Sequence, residues 1–193
     1  MSLTSCSADR SKQGRGMYVI GAGSKATAKD CTFTGNMVSN VKIDAQAMAV
    51  FSRCALCMSE GQGLVVEGAG SRATAKDSNF ERNQHCNVFV ADGGMAMLSG
   101  CSMRQSSESS GLQVYGQGSR AIARLCDFSL NAGFGASALD GGSVDLGLCT
   151  VARNEHLAHA VFCLGAGSRL LLSRNTVLDK SPGSLAGGQV SMS

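Results

Sequence analysis

The sequence predicts an all-β fold, in which short parallel strands coil into a solenoid of about seven coils with three strands in each. Three observations predict this fold. A ten-residue motif returns at a near-constant interval, which is typical of stacked repeats. Within each interval the apolar residues are two apart, so they share one face of an extended strand. Glycine and asparagine separate the apolar runs, which disfavours a helical pattern.

The motif occupies residues 21–30 and returns almost unchanged at residues 68–77. Weaker copies begin at Gly116 and Gly165, and successive Gly-Ser steps lie 47, 48 and 49 residues apart. Each interval holds two coils, because a mostly cysteine column has one member in every half-interval. Its members are Cys6, Cys31, Cys54, Ser78, Cys101, Cys126, Cys149 and Asn175. The steps between them are 25, 23, 24, 23, 25, 23 and 26 residues, so a coil takes 23–26 residues.

The first strand of each coil is predicted to direct two apolar columns inward. One column is Met17, Val41, Leu64, Val88, Leu112, Ala136 and Val161. The other is Val19, Ile43, Val66, Val90, Val114, Ala138 and Cys163. The middle strand contributes smaller inward pairs, which begin with Ala26 and Ala28 and end with Leu170 and Leu172.

The third strand is predicted to direct the cysteine column inward, together with an apolar column two residues further on. That apolar column is Ala8, Phe33, Leu56, Phe80, Met103, Phe128, Val151 and Val177. A polar column follows at the turn: Ser11, Asn36, Ser59, Asn83, Ser106, Asn131 and Asn154. Stacked asparagine amides can bond each other and the turn carbonyls, so we interpret this column as structural.

One coil reads Gly-x-x-Val-x-Gly-x-Gly-Ser-x-Ala-x-Ala-x-x-Cys-x-Phe-x-x-Asn, and six others are related to it. This pattern resembles the right-handed, single-stranded parallel β-helix of the pectin-lyase-like superfamily. The resemblance covers roughly residues 5–190, and it implies a single β-helix domain over residues 1–193, either complete or as a piece of a longer stack. It also implies a carbohydrate-active alternative, since polysaccharide lyases and glycosidases share this fold. The fold hosts many other activities.

Composition excludes several functional classes. The net charge of +3 is too small to predict nucleic-acid binding, which requires a dense basic patch. No apolar run approaches the roughly 18 residues of a membrane span, and the first residues lack the apolar core of a secretory signal. The nine cysteines are an odd number, so we expect reduced thiols and an intracellular, cytoplasmic location.

The sequence shows no catalytic, cofactor-binding or metal-binding group. A linear cysteine column cannot converge on a tetrahedral metal site, and buried cysteine commonly serves as a small apolar residue. His85 and His156 occupy equivalent positions three coils apart, too far to share a metal. Asp92 and Asp140 each precede Gly-Gly, which favours a turn over the carboxylate pair of a glycosidase.

Two outward surfaces are candidate binding sites. The outer side of the first strands carries an apolar row, and such patches commonly mark partner surfaces. Its members are Tyr18, Ile20, Val65, Phe89, Tyr115, Leu139, Phe162 and Leu164. A basic row lies beside the glycine turns: Lys25, Arg72, Arg120 and Arg169.

We therefore expect a non-catalytic scaffold or protein-protein interaction module, with carbohydrate binding or carbohydrate-active chemistry as the alternative. A protein partner or larger complex would bind the outward first-strand face or the open ends of the coil. End-to-end association is a further expectation, since uncapped strand edges invite pairing. No cofactor is expected.

Overall fold

The computed structural model describes residues 1–155, 159–173 and 176–192. Within those ranges the chain consists of short strands joined by turns, and it contains no helix. No helix in this part of the chain is therefore long and apolar enough to cross a membrane. The prediction of an all-β fold is confirmed.

The described residues form 21 strands. The first ten are β1 (Ser2–Thr4), β2 (Arg15–Ile20), β3 (Lys25–Lys29), β4 (Thr32–Thr34), β5 (Ser39–Asp44), β6 (Met48–Ser52), β7 (Ala55–Cys57), β8 (Gln62–Glu67), β9 (Arg72–Lys76) and β10 (Val88–Ala91). The others are β11 (Met95–Ser99), β12 (Leu112–Tyr115), β13 (Arg120–Arg124), β14 (Ala136–Leu139), β15 (Ser143–Gly147), β16 (Thr150–Val151), β17 (Val161–Leu164), β18 (Arg169–Leu172), β19 (Val177–Leu178), β20 (Gly183–Leu185) and β21 (Gln189–Met192).

These strands stack into a parallel solenoid of about eight turns, close to the predicted seven. The first strands of the coils form an eight-stranded sheet in the order β2-β5-β8-β10-β12-β14-β17-β20. The middle strands form a nine-stranded sheet in the order β1-β3-β6-β9-β11-β13-β15-β18-β21. A third side consists of the pairs β4-β7 and β16-β19, with single bridges between them. All these strand pairs and bridges are parallel, as expected for successive coils.

The core is a continuous apolar column inside the coils. Met17 pairs with Val41 and Val41 with Leu64, and the same register continues up to Val161. All the predicted inward residues of the first and middle strands are buried. Phe33 and Phe51 meet edge to face inside the coil, with ring centroids 6.5 Å apart. Alternation with a period of two therefore locates the core of both large sheets.

Besides the turn between its first and middle strands, each coil has two bends that use a residue with positive φ. One bend immediately precedes the cysteine column, where Asp30, Arg53, Leu125 and Leu148 have φ values of 55°, 51°, 56° and 56°. The other precedes the polar column and includes Arg82, with φ of 57°. A non-glycine residue in this region costs free energy, and it persists only where neighbouring coils fix the backbone.

Alternate coils differ at the turn between the first and middle strands. The hydroxyl oxygen of Ser71 accepts the N–H of Gln46 at 3.0 Å, in the coil below. Ser119 accepts the N–H of Gly93 at 3.0 Å in the same way, and Ser168 accepts the N–H of Gly141 at 2.8 Å. The Gly-x-Gly-Ser turn of one coil thus caps the shorter turn of its neighbour, so the two coil types alternate.

The last coil differs from the prediction. The spacing predicts Val177 in the inward column, but its side chain is 60% exposed. Val151 pairs instead with Leu178, which packs against the core, because this coil is one residue longer than the predicted step of 26 residues. Asn175, the predicted last member of the cysteine column, lies outside the described residues.

Candidate interaction surfaces

The outer face of the eight-stranded sheet carries the predicted apolar row, but its members are unequally accessible. Tyr18, Ile20 and Tyr115 are 44%, 51% and 42% exposed. Four more are half-buried: Phe89, Leu139, Phe162 and Leu164. The row therefore offers two separate accessible patches, at Tyr18 with Ile20 and at Tyr115.

Val65 belongs to this row but is only 5% exposed, so it adds almost nothing to a binding surface. Its neighbours in register are Lys42 and Phe89, on the coils on either side. Both have longer side chains, which shield a short branched residue between them. The prediction that Val65 belongs to a partner surface is therefore wrong, since its side chain is buried.

An ionic cluster adjoins the Tyr18 patch. The Lys42 ammonium lies 3.3 Å from Asp44 and also contacts Glu67. The Tyr18 hydroxyl donates to Asp44 at 3.3 Å, and the Arg15 guanidinium lies 5.1 Å from the centre of the Tyr18 ring. These contacts fix the orientation of a tyrosine whose ring still reaches solvent.

The cluster shifts the pKa values of two of its members in opposite directions. Burial disfavours the charged form of Asp44, but the Ala45 N–H and the Lys42 ammonium outweigh it, and the pKa of Asp44 is lowered. Burial likewise disfavours charged Lys42, but the two carboxylates outweigh it, and the pKa of Lys42 is raised. Both groups are therefore charged at neutral pH.

At the other end of this face, Phe162 packs within the molecule. Its ring stacks on Phe134 with centroids 4.7 Å apart and planes 5° apart, and the His159 ring lies 6.0 Å away. Phe134 lies in the turn before β14, where strand alternation does not apply. Sequence reasoning therefore missed it.

The basic row lies on the outer face of the nine-stranded sheet. Lys25, Arg72, Arg120 and Arg169 begin β3, β9, β13 and β18, and all four are exposed. Met48, Met95 and Ser143 alternate with them in the same register column. Among the described residues, none of the four cations forms an ion pair.

A second basic row, which is not among the predicted binding residues, runs parallel to the first. Lys29, Lys76 and Arg124 end the same strands, four residues after the first row and on the same side of the sheet. Arg124 donates to Asp145 at 2.8 Å. The sequence carries the signal for this row, because a cation follows the Gly-Ser serine by five residues at three of the four Gly-Ser steps.

The cysteine column is buried along most of its length. Cys31, Cys54, Cys101, Cys126 and Cys149 are 1–3% exposed, whereas Cys6 is exposed, and all are free thiols. Each buried thiol donates to the carbonyl two residues earlier, at 3.2–3.4 Å. Ser78 makes the same bond through its hydroxyl at 2.9 Å.

The column position therefore takes a small side chain with a donor group. Burial raises the pKa of Cys54, which keeps this thiol neutral. The described residues contain no cluster of three or more potential metal ligands. Cys86, at a turn outside the core, is also buried, and its thiol contacts Gln113 at 3.0 Å.

Six buried asparagines form one hydrogen-bonded amide chain along the solenoid. Each side-chain N–H₂ group donates to the amide oxygen of the next member at 2.8–3.2 Å, in the order Asn36, Asn40, Asn83, Asn87, Asn131 and Asn154. Asn40 and Asn87 lie outside the predicted polar column, each four residues after one of its members, with Asn40 on β5 and Asn87 just before β10. The arrangement can order the coils, but it offers no exposed chemical group.

Glycine is required at several positions beside this amide chain, as Gly63 and Gly111 show. A Cβ at Gly63 would lie 2.6 Å from the Asn83 Nδ2, and a Cβ at Gly111 would lie 2.8 Å from the Asn131 Nδ2. The coils approach too closely for any side chain there. Gly63, on β8, and Gly111, just before β12, alternate along the solenoid with Asn40 and Asn87, and they leave room for the amides of Asn83 and Asn131.

The remaining candidates for chemistry show no catalytic geometry in the described part of the chain. His85 is half-exposed and lies 3.5 Å from Glu108, while His156 lies outside the described residues. Asp92 and Asp140 have φ values of 51° and 48°, each followed by a glycine with positive φ. Both aspartates therefore form tight turns, as a hairpin-like Asp-Gly pair does.

Comparison with known proteins identifies the fold. The family model described as "right handed beta helix region" matches residues 15–177. No curated protein matches the chain. One solved structure, of a TibC-catalyzed hyper-glycosylated TibA fragment, is similar over 100% of this chain and 97% of that chain, with 11% identity and a TM-score of 0.20. A likeness that weak carries no argument about fold or function.

Proposed function

Because this chain belongs to the right-handed β-helix family, whose fold serves unrelated activities, we propose its function from its surfaces: a non-catalytic scaffold that binds a protein partner. The accessible part of the outer face of the eight-stranded sheet is the binding surface. This proposal rests chiefly on one observation: Tyr18, Ile20 and Tyr115 are about half exposed on a regular, rigid sheet.

Such a surface suits a protein partner. Tyrosine is enriched in protein interfaces because its ring offers a large contact area and its hydroxyl a hydrogen bond. A strand-held side chain loses little further conformational freedom on binding. The Arg15, Lys42 and Asp44 charges beside Tyr18 supply the polar rim that interfaces usually have.

Site-specific photo-crosslinking tests this proposal. A crosslinking amino acid at Tyr18 or Tyr115, introduced into the full chain in its native cells, should capture a partner. The matched control places the same group at Met97, which is 38% exposed on the nine-stranded sheet. Capture at Tyr18 that Ile20→Glu abolishes supports the proposal, and equal capture at Met97 contradicts it.

Carbohydrate binding is the second candidate, and the same exposed tyrosine rings favour it, since aromatic rings also stack on sugars. A glycan array probed with the wild type and with Tyr115→Ala separates the two. Glycan signal that depends on Tyr115 would favour the carbohydrate module. An array without glycan signal, together with partner capture at Tyr18, would favour the protein-binding scaffold over the carbohydrate module.

A further inference from the structure

A depression lies on the outer face of the nine-stranded sheet, near its C-terminal end. Its volume is about 590 Å³, and its lining includes Arg120, Ser143, Arg169 and Gln189. These four residues are consecutive members of one register column, each on the coil next to the last. The depression is therefore a gap in the regular surface of the sheet.

Ser143 creates this gap. Lower in the same column, Met48 lies between Lys25 and Arg72, and Met95 lies between Arg72 and Arg120. A methionine side chain covers the space between two cations, whereas a serine leaves it open. One residue lies between each two successive cations of the basic row. Only Arg120 and Arg169 are two arginines with a short side chain, that of Ser143, between them.

We propose that this depression binds a phosphate group, held by Arg120 and Arg169 on either side and by the Ser143 hydroxyl beneath it. Two coils separate the arginines, about 10 Å at the backbone, and both side chains are long enough to converge on one tetrahedral anion. Arginine presents several N–H donors to phosphate oxygens, and charge-assisted bonds of this kind are strong. The Gln189 amide supplies a further neutral donor.

The surrounding charge supports an anion. Asp145 also lines the depression, but its carboxylate is held by the Arg124 guanidinium at 2.8 Å, which neutralises it. Arg120 and Arg169 have no carboxylate partner among the described residues. Leu171 contributes apolar surface to the lining, which strengthens electrostatic attraction by excluding water.

Two reciprocal variants test the site. Ser143→Met restores the residue type found at the equivalent positions and keeps every charge, so the chain should fold normally. It should weaken binding of inorganic phosphate at least about ten-fold in an amide-shift titration, because the Ser143 hydroxyl donor is lost and the methionine side chain fills the depression. Met95→Ser opens the equivalent gap between Arg72 and Arg120 and should add a second, similar site. Unchanged phosphate affinity in Ser143→Met overturns the proposal.

The source of the phosphate is distinguished in the same experiment. Phosphatidylcholine vesicles with phosphatidic acid present a phosphate monoester at a surface, whereas inorganic phosphate represents a soluble ester. Loss of vesicle binding in Ser143→Met assigns a lipid headgroup, and loss of inorganic phosphate binding alone assigns a soluble ligand. If vesicle binding is unchanged by Ser143→Met but falls equally when any cation of the basic row is removed, the surface binds anions diffusely and the proposed site is contradicted.

Arg169→Gln supplies an independent measurement. It removes one of the two cations while leaving the depression open, so phosphate affinity should fall and its salt dependence should become shallower. Lys25→Gln is the matched control on the same row, and it should leave phosphate binding unchanged. This site lies on a different sheet from the partner surface, so either proposal can fail alone.

Discussion

The two large sheets obey the same alternation, yet their outer faces differ. On the eight-stranded sheet many outward side chains have partners within the molecule: Lys42 with Glu67, Gln113 with Cys86 and Phe162 with Phe134. On the nine-stranded sheet the first basic row stands exposed and unpaired among the described residues.

The segments that precede the strands explain this difference. The strands of the eight-stranded sheet follow broad turns, such as the ones that hold Cys86 and Phe134, and side chains from these turns pack on the outer face. Most strands of the nine-stranded sheet follow tight turns of three or four residues, such as Gly-x-Gly-Ser, and these turns offer few side chains that could pack on the outer face. Alternation therefore tells which residues leave the core, while the preceding turn decides whether they reach solvent.

The largest difference between the faces is expected for aromatic and long apolar residues. Phe162→Ala should destabilise the protein by about 2 kcal/mol, because it removes a half-buried ring and its stacking on Phe134. Met97→Ala, on the other face, should change stability by less than about 0.5 kcal/mol. Urea unfolding of both variants measures the difference, and equal losses would remove the contrast between the sheets.

A pair of valines gives a sharper comparison, since the residue type is the same. Val65 is 5% exposed on the eight-stranded sheet, and Val50 is 45% exposed on the nine-stranded sheet. Val65→Ala should cost about 1–2 kcal/mol through lost burial, and Val50→Ala only a few tenths of that. Thermal unfolding of both variants tests this. A larger loss at Val50 would show that Val65 is not shielded by its neighbours.

The ionic cluster predicts a smaller, pH-dependent effect. Lys42→Met should cost about 0.5–1 kcal/mol at neutral pH. The pKa of Asp44 is lowered in the folded protein, so its contribution is present above the ordinary aspartate pKa of about 3.9 and is lost as the pH falls through the folded value. Urea unfolding from neutral to acid pH should show this loss in the wild type, and less of it in Lys42→Met.

The smallest effect is expected on the exposed row. Arg72→Gln should change stability by less than about 0.5 kcal/mol, because the side chain is exposed and has no ion-pair partner among the described residues. Parallel urea titrations of the wild type and Arg72→Gln measure it. A loss as large as that of Lys42→Met would mean that the basic row stabilises the fold, and its availability for ligands would be in doubt.

Much of the fold could be predicted from the sequence, because every coil repeats the same alternation of buried and outward side chains. Alternation placed Val41, Val66 and Ala121 correctly in the core, since a strand has only two faces. The error at Val177 arose where one extra residue entered a coil, and an insertion of one reverses every later side chain on that strand.

The candidate surfaces could be predicted only in part. The sequence identifies Tyr18 and Tyr115 as outward residues, but it does not show that Val65 is shielded, because shielding depends on side-chain lengths in adjacent coils. Asn40 and Asn87 were missed because their partners come from different coils. The role of Ser143 becomes apparent only when it is compared with Met48 and Met95, which occupy equivalent places in the same register column.

The capping serines have a consequence for how such a chain can grow or shrink. Ser71, Ser119 and Ser168 each close the turn of the preceding coil, and the amide chain repeats on the same two-coil interval from Asn36 to Asn83. The repeating structural unit of the solenoid is therefore a pair of coils. Duplication or loss of a whole pair preserves the serine caps and the order of the amide chain, whereas loss of one coil brings two like turns together and leaves a serine without its partner. We expect variation in length among such proteins to proceed in steps of about 48 residues, the spacing of the Gly-Ser turns.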